Sequence, residues 1–220
     1  MAPVNREPLG RVRIVTAALG VIDREGLVGL SMRRLGAELG VEGMALYRHY
    51  PQKEAILDQV VELVLSDLKY PKAERGRWQE HLRLVSRGLR DRVLAHPNAM
   101  PLVASRWLST GVLEEVLANA VAEMQSSGLG LADARALVRA VMSFVLGYCW
   151  IEVGAFVGDM PDEGGLTRKP ISLEESRGRT TSPGEEPRSQ QFEKGLDFLL
   201  AGAGAVVASG SREQPGLLQD

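Results

Sequence analysis

With 220 residues, 45% apolar and 25% charged, the chain can bury a sizeable core and has the balance of a globular protein. The formal charge of −2 excludes a chain that is basic throughout, but residues 1–53 hold eight Lys/Arg against five Asp/Glu, which leaves −5 on the remainder. A modestly basic N-terminal unit on an acidic remainder suits a nucleic-acid-binding head on a body with another task.

Residues 1–8 read as a disordered arm. The spacing of Val12, Val15, Leu19 and Ile22 predicts a helix over 9–25, with Gly26 just past its end. Ser31 is placed to N-cap a second helix, because its side-chain oxygen can accept from an unpaired amide of the first turn. Leu35 and Leu39 then share a face, Gly40 supplies the left-handed residue that ends the helix, and Val41 anchors the corner. A third helix is expected over 42–50, with Leu46 turned inward and Pro51 blocking its extension. Two short helices around a glycine corner are the helix-turn-helix pattern, whose second helix enters the DNA major groove.

The side chains not needed for packing point the same way. Arg33, Arg34, Arg48 and Lys53 have the reach and charge to meet phosphates, and Tyr47 and His49 bring polar tips to bases or backbone. Gly43 and Ala45 are small enough to let the second helix approach base edges, where Met44 can touch a thymine methyl. Arg11 and Arg13 either approach a phosphate or line a solvated face. An ordinary helical hairpin with a charged outer face is the competing reading of these residues.

After Pro51 the stripe Ile56, Leu57, Val60, Val61, Val64 and Leu68 predicts a helix over 52–68, and 71–76 reads as a polar linker. Trp78, Leu82, Val85, Leu89 and Val93 define a helix closed by His96-Pro97, followed by a short segment over 101–108. The next helix is expected over 111–125, with Thr110 as a possible cap and Gly128 as the stop. The longest, 131–156, is apolar almost all round in its second half and must be covered on several sides. Gly, Pro, Ser and charge dominate 158–189, which reads as a mobile loop, and the last helix is expected over 190–208. Nothing reads as a strand. The expected fold class is all-α: residues 1–70 form a three-helix DNA-binding unit with its connecting helix, 71–210 a larger helical body, and 211–220 a tail.

The string LSMRRLGAELGVEGMALYRHYPQKEAIL resembles the DNA-binding signature of the tetracycline-repressor (TetR) family, with Ser31, Arg33, Leu35, Leu39, Gly40, Val41, Leu46, Tyr47, His49, Lys53 and Leu57 in register. WQEHLRLVSRGLRDRVLAHP, a long helix ending in SFVLGYCWIEVG, a loop and a closing helix are similar to that family's C-terminal domain. The resemblance implies a repressor that binds a palindromic double-stranded DNA operator as a homodimer and is released by a small effector. The dimer would form through helices 134–156 and 192–207, the first from Ala134 to Phe156 and the second from Phe192 to Val207. It also implies that the helix over 52–68 is the lever that carries the effector signal.

At positions that align with the drug and magnesium contacts of tetracycline repressor, this chain carries Lys69, Val85, Leu89, Val103 and Arg106, so the amide and histidine for that drug and its metal are missing. Leu89, Val103, Trp107 and Trp150 instead suit a more apolar effector, with His81 or Arg106 as the polar contact. A DNA-binding activator, or a regulator controlled by a protein partner, is the alternative. An enzyme is not expected. His49, His81 and His96 lie in separate segments without metal-ligand spacing, and no nucleophile elbow or phosphate-binding glycine loop is present. No cofactor or metal is expected. The single cysteine, Cys149, rules out an intrachain disulfide framework, and with an N-terminus lacking an apolar signal core the expected location is the cytoplasm.

Overall fold

The structure, a computed structural model, describes residues 8–106, 111–153 and 187–210. Among these residues it holds nine α-helices and no strand. They are α1 (Arg11–Gly29), α2 (Met32–Leu39), α3 (Gly43–Leu46), α4 (Lys53–Leu65), α5 (Trp78–Ala95), α6 (Met100–Arg106), α7 (Gly111–Ser126), α8 (Leu131–Glu152) and α9 (Arg188–Gly210), with a 3₁₀ turn at Pro97–Ala99 before α6. Several expectations lie outside the described residues: the arm over 1–7, Thr110, the loop over 158–186, Phe156 and the tail over 211–220.

The head closes as its local chemistry dictates. Gly26 breaks the helical path of α1 at φ 72°, a left-handed conformation that glycine adopts without a Cβ penalty, and the chain then makes one more turn to Gly29. Ser31 caps α2 by accepting from the Arg34 amide at 3.1 Å, and Gly40 ends it at φ 69°. The expected third helix is shorter than 42–50. Regular α-helix covers only Gly43–Leu46, and the amides of Tyr47 and His49 then bond three residues back, to Met44 and Leu46, in a tightened turn before Pro51. Ile14, Ala18, Ile22, Leu35, Leu46 and Ile56 are fully buried between α1, α2, α3 and α4.

The head and body share one continuous apolar core, which runs from Ile14 in α1 to Leu200 in α9. Helix α4 leads out of the head and packs on α5, α6 and α7, and α1 seats directly on the 3₁₀ turn Pro97–Ala99. In the body α8 lies against α5, α7 and α9, burying Ala134, Val138, Val141, Met142, Val145 and Cys149. Its opposite face is open and made of small residues, with Ala132, Ala136, Ala140, Ser143 and Gly147 all exposed. On α9, Phe198 is 77% exposed while Phe192, Leu196 and Leu200 are buried. Of the expected short segment over 101–108, residues 101–106 belong to α6, and the rest lies outside the described residues.

Candidate nucleic-acid interface and the polar joints of the body

Glycine at two positions lets α2 and α3 meet closely. A Cβ on Gly36 would sit 2.8 Å from both the Gly43 amide nitrogen and the Val41 carbonyl oxygen, and one on Gly43 would sit 3.1 Å from the Met32 carbonyl oxygen. Backbone against backbone fixes α3 on α2 and leaves its outer side chains free. Met44 is 73% exposed and Tyr47 43% exposed, while Leu46 between them is sealed in the core. A large apolar side chain held outward on a rigid hairpin is the kind of surface that needs a partner. Ala45 and His49 are half-buried beside them.

The cations of the head divide into two groups. Arg33 and Arg48 are exposed and, among the described residues, enter no ion pair. Arg34, expected to reach a phosphate, is instead tied down. Its guanidinium holds Glu25 through Nε at 2.9 Å and Nη2 at 2.5 Å, and Nη1 lies 3.0 Å from Glu38, which also pairs with Arg24. The Arg34 hydrogen bond is the main reason the Glu25 carboxyl is held below the usual carboxylate range. Lys53 is also turned inward, its Nζ donating to the Leu30 carbonyl at 2.5 Å. Arg11 stacks over the buried Tyr50 ring at 5.6 Å, and burial pushes the Tyr50 hydroxyl pKa up. Ser31 is committed to its cap, although its exposed position still faces the end of the hairpin.

The side chains suggested for an effector do not form one polar site. Val85 and Leu89 of α5 and Val103 of α6 are buried in the core, Trp150 is half-buried on α8, and Lys69 is exposed. Trp107 lies outside the described residues. Arg106 bonds Asp58 of α4 at 2.5 Å, and His81 is 4% exposed with Nδ1 3.0 Å from Glu123 Oε2. Both polar candidates are thus engaged by protein carboxylates.

Charged joints escaped the sequence reading. Glu123 of α7 is 1% exposed and accepts from His81 Nδ1, the Tyr70 hydroxyl and the Glu74 amide at 2.9 Å. Burial and the Glu123 carboxylate both push the Tyr70 pKa up. A signal for Glu123 existed: it falls on the apolar stripe of α7 with Leu113, Val116 and Ala120. Glu152, 6% exposed at the end of α8, is held by Arg90 through Nε at 2.7 Å and Nη2 at 2.6 Å. Asp23 of α1 accepts from Asn98 at its carbonyl, 2.9 Å, and lies 3.0 Å from His96 Nδ1. Cys149 is sealed in α8 and burial pushes its thiol up to about 12, which disfavours the reactive thiolate.

The comparisons agree with this geometry. Residues 14–60 match the family described as bacterial regulatory proteins, tetR family, and residues 70–207 match the tetracyclin repressor-like C-terminal domain. A transcriptional regulator of the helix-turn-helix type from Saccharopolyspora erythraea is 29% identical over 204 residues, covering 89% of this chain and 84% of the relative. The Streptomyces coelicolor protein ActR, solved in complex with actinorhodin, is 26% identical with a TM-score of 0.71 over 91% of this chain and 99% of the other. BioQ, solved with its double-stranded DNA operator, is 27% identical with a TM-score of 0.64 over 90% of this chain and 99% of the other.

Proposed function

The chain belongs to the TetR family of bacterial regulatory proteins, and from that membership we propose that it is a ligand-responsive transcriptional repressor acting in the cytoplasm. It binds a palindromic operator as a homodimer and leaves it when a small, mainly apolar effector binds the body. Residues 1–70 carry DNA recognition and the lever, 71–210 carry the effector site and the dimer contact, and 211–220 form a tail. Arg33 and Arg48 meet phosphates, while Met44, Ala45 and Tyr47 reach base edges from α3, which Gly43 lets approach the groove.

The observation that supports this function is the hairpin itself: a backbone-to-backbone contact at Gly36 and Gly43 presents Met44 and Tyr47 outward, and two further side chains of the head, Arg33 and Arg48, are exposed and enter no ion pair among the described residues. One recognition helix makes few base contacts, and two-fold pairing doubles them on a palindrome. The small-residue face of α8 and the exposed Phe198 of α9 support pairing through 134–156 and 192–207. The buried apolar row Val85, Leu89 and Val103 supports an apolar effector, as does the engagement of Arg106 and His81 by carboxylates.

The test is selection of a duplex from a random library by the purified protein, then titration of that duplex and a scrambled one across a salt series. Selective binding is expected, with Arg33→Ala and Arg48→Ala each lowering the log–log salt slope by about one while Arg34→Ala leaves it unchanged. Equal affinity for both duplexes at every salt concentration would overturn the assignment.

A further inference from the structure

The lever α4 ends at Leu65, and the chain reaches α5 at Trp78 through a connection without helix. That connection is nonetheless fixed, because the last turn of α7 and the residue after it grip it repeatedly. Glu123 receives the Tyr70 hydroxyl and the Glu74 amide, and Ser127 Oγ, four residues on, receives the Gly76 amide at 3.1 Å. Gly76 adopts φ 86°, so the grip depends on a turn that other residues enter only under strain. The same carboxylate holds His81 at the start of α5, whose ring stands edge-on to Tyr70 with centroids 5.6 Å apart.

A fully buried carboxylate is costly to desolvate, and an apolar side chain would fill the α7 stripe without that cost. Among the described residues, the polar ties between the body and α4 or the two residues after it differ in kind. Asp58 to Arg106, Asp67 to Arg92 and the Gly111 amide to Glu62 all lie at exposed or half-exposed sites, where such pairs add little. Glu123 is thus a sealed polar joint on the connection that follows the lever.

We propose that Glu123 is a positioning residue for operator binding: through Tyr70 and Glu74 it fixes where the lever leaves the body, and with it the separation of the two heads in the dimer. The proposal rests on the operator-binding function above. When Glu123 is whole, the heads match one half-site spacing. When its contacts are cut, the connection over 66–77 loosens and the heads tolerate other spacings.

The experiment uses full-length protein and the duplex it selects, together with versions carrying one base pair added or removed between the half-sites. Tyr70→Phe removes one donor and leaves the carboxylate two others, and Glu123→Gln keeps the shape, so both should fold. The measured quantity is the ratio of affinities for native and altered spacing. A loss of folded protein scales all affinities together and leaves this ratio fixed, whereas loss of positioning lowers it, by about fivefold or more. Exchange of the Glu74 and Gly76 amides should quicken in the same variants. Wild-type ratios in both variants would overturn the positioning role. Failure of the wild type to select any duplex would instead strike the operator-binding function.

Discussion

In the helix-turn-helix head the polar contacts are shorter in range: Ser31 accepts from Arg34 three residues on, Arg34 reaches back nine to Glu25, Arg24 spans fourteen to Glu38, and Lys53 reaches back 23 to Leu30. In the body the corresponding contacts join residues far apart, 53 for Tyr70 to Glu123, 62 for Arg90 to Glu152, 106 for Arg87 to Glu193 and 121 for Gln79 to Leu200. The head also leaves Arg33 and Arg48 outward, whereas the body takes Glu123 and Glu152 inside and satisfies each with several donors. A surface that must meet a polyanion is built on short-range rules, and a body that must hold one arrangement of long helices is keyed by buried charge.

The largest effect that tests this contrast lies at Arg90. Arg90→Ala strands Glu152 at 7% side-chain exposure and also removes the cation over the Phe192 ring at 5.2 Å. It should cost about 3–5 kcal/mol in urea unfolding, whereas Arg90→Met with Glu152→Leu should come close to wild type, because the pair is costly to break and cheap to replace whole. A single-variant cost below about 1 kcal/mol would place this pair with ordinary surface bridges and break the contrast.

Gly36→Val should show the next largest effect. Its Cβ would stand 2.8 Å from two backbone atoms of the corner, which have no rotamer to change, so α3 must move off α2. About 1–3 kcal/mol of stability should go, as in overpacked cores, and selective DNA binding should fall further than the unfolding midpoint alone explains. Full operator affinity in this variant would mean that the close contact serves packing alone.

The same contrast explains what could be read from the sequence. Ser31, Gly40, Leu46 and Pro51 each act through the backbone within a turn or two, so their spacing in the string declared the hairpin before any fold was known. The helices of the body were equally legible, because Leu82, Val85 and Leu89 or Val116 and Ala120 repeat at the helical period. The sequence is silent where a side chain's partner is decided by tertiary packing. Nothing in the string places Glu25 beside Arg34, or carboxylates of α7 and α4 beside His81 and Arg106. Periodicity places a residue on a face but does not name what lies across from it. The short α3 was over-extended for a related reason: Pro51 marks where a helix must stop, and the tightened turn at Tyr47 and His49 begins earlier.

The smallest effect separates distance along the chain from location in the fold. Glu25 in the head, half-buried, and Glu80 in the body, exposed, are each held by a nearby arginine, Arg34 and Arg77, and both are held below the ordinary carboxylate value of 4.5 chiefly by that hydrogen bond. A carboxyl whose folded pKa is depressed contributes stability above its unfolded value and loses it as pH falls through the folded one. Glu25→Gln and Glu80→Gln should therefore leave the unfolding midpoint nearly unchanged at pH 7, where exposed or half-exposed pairs add little, and each should flatten the fall in stability below pH 4.5. Matching shallow profiles would show that a short-range pair open to solvent behaves alike in both regions, so that burial distinguishes the body's charges. A much steeper loss for Glu25 alone would mean that the Arg24–Glu38–Arg34–Glu25 network acts as a unit and that the head, too, is keyed by charge.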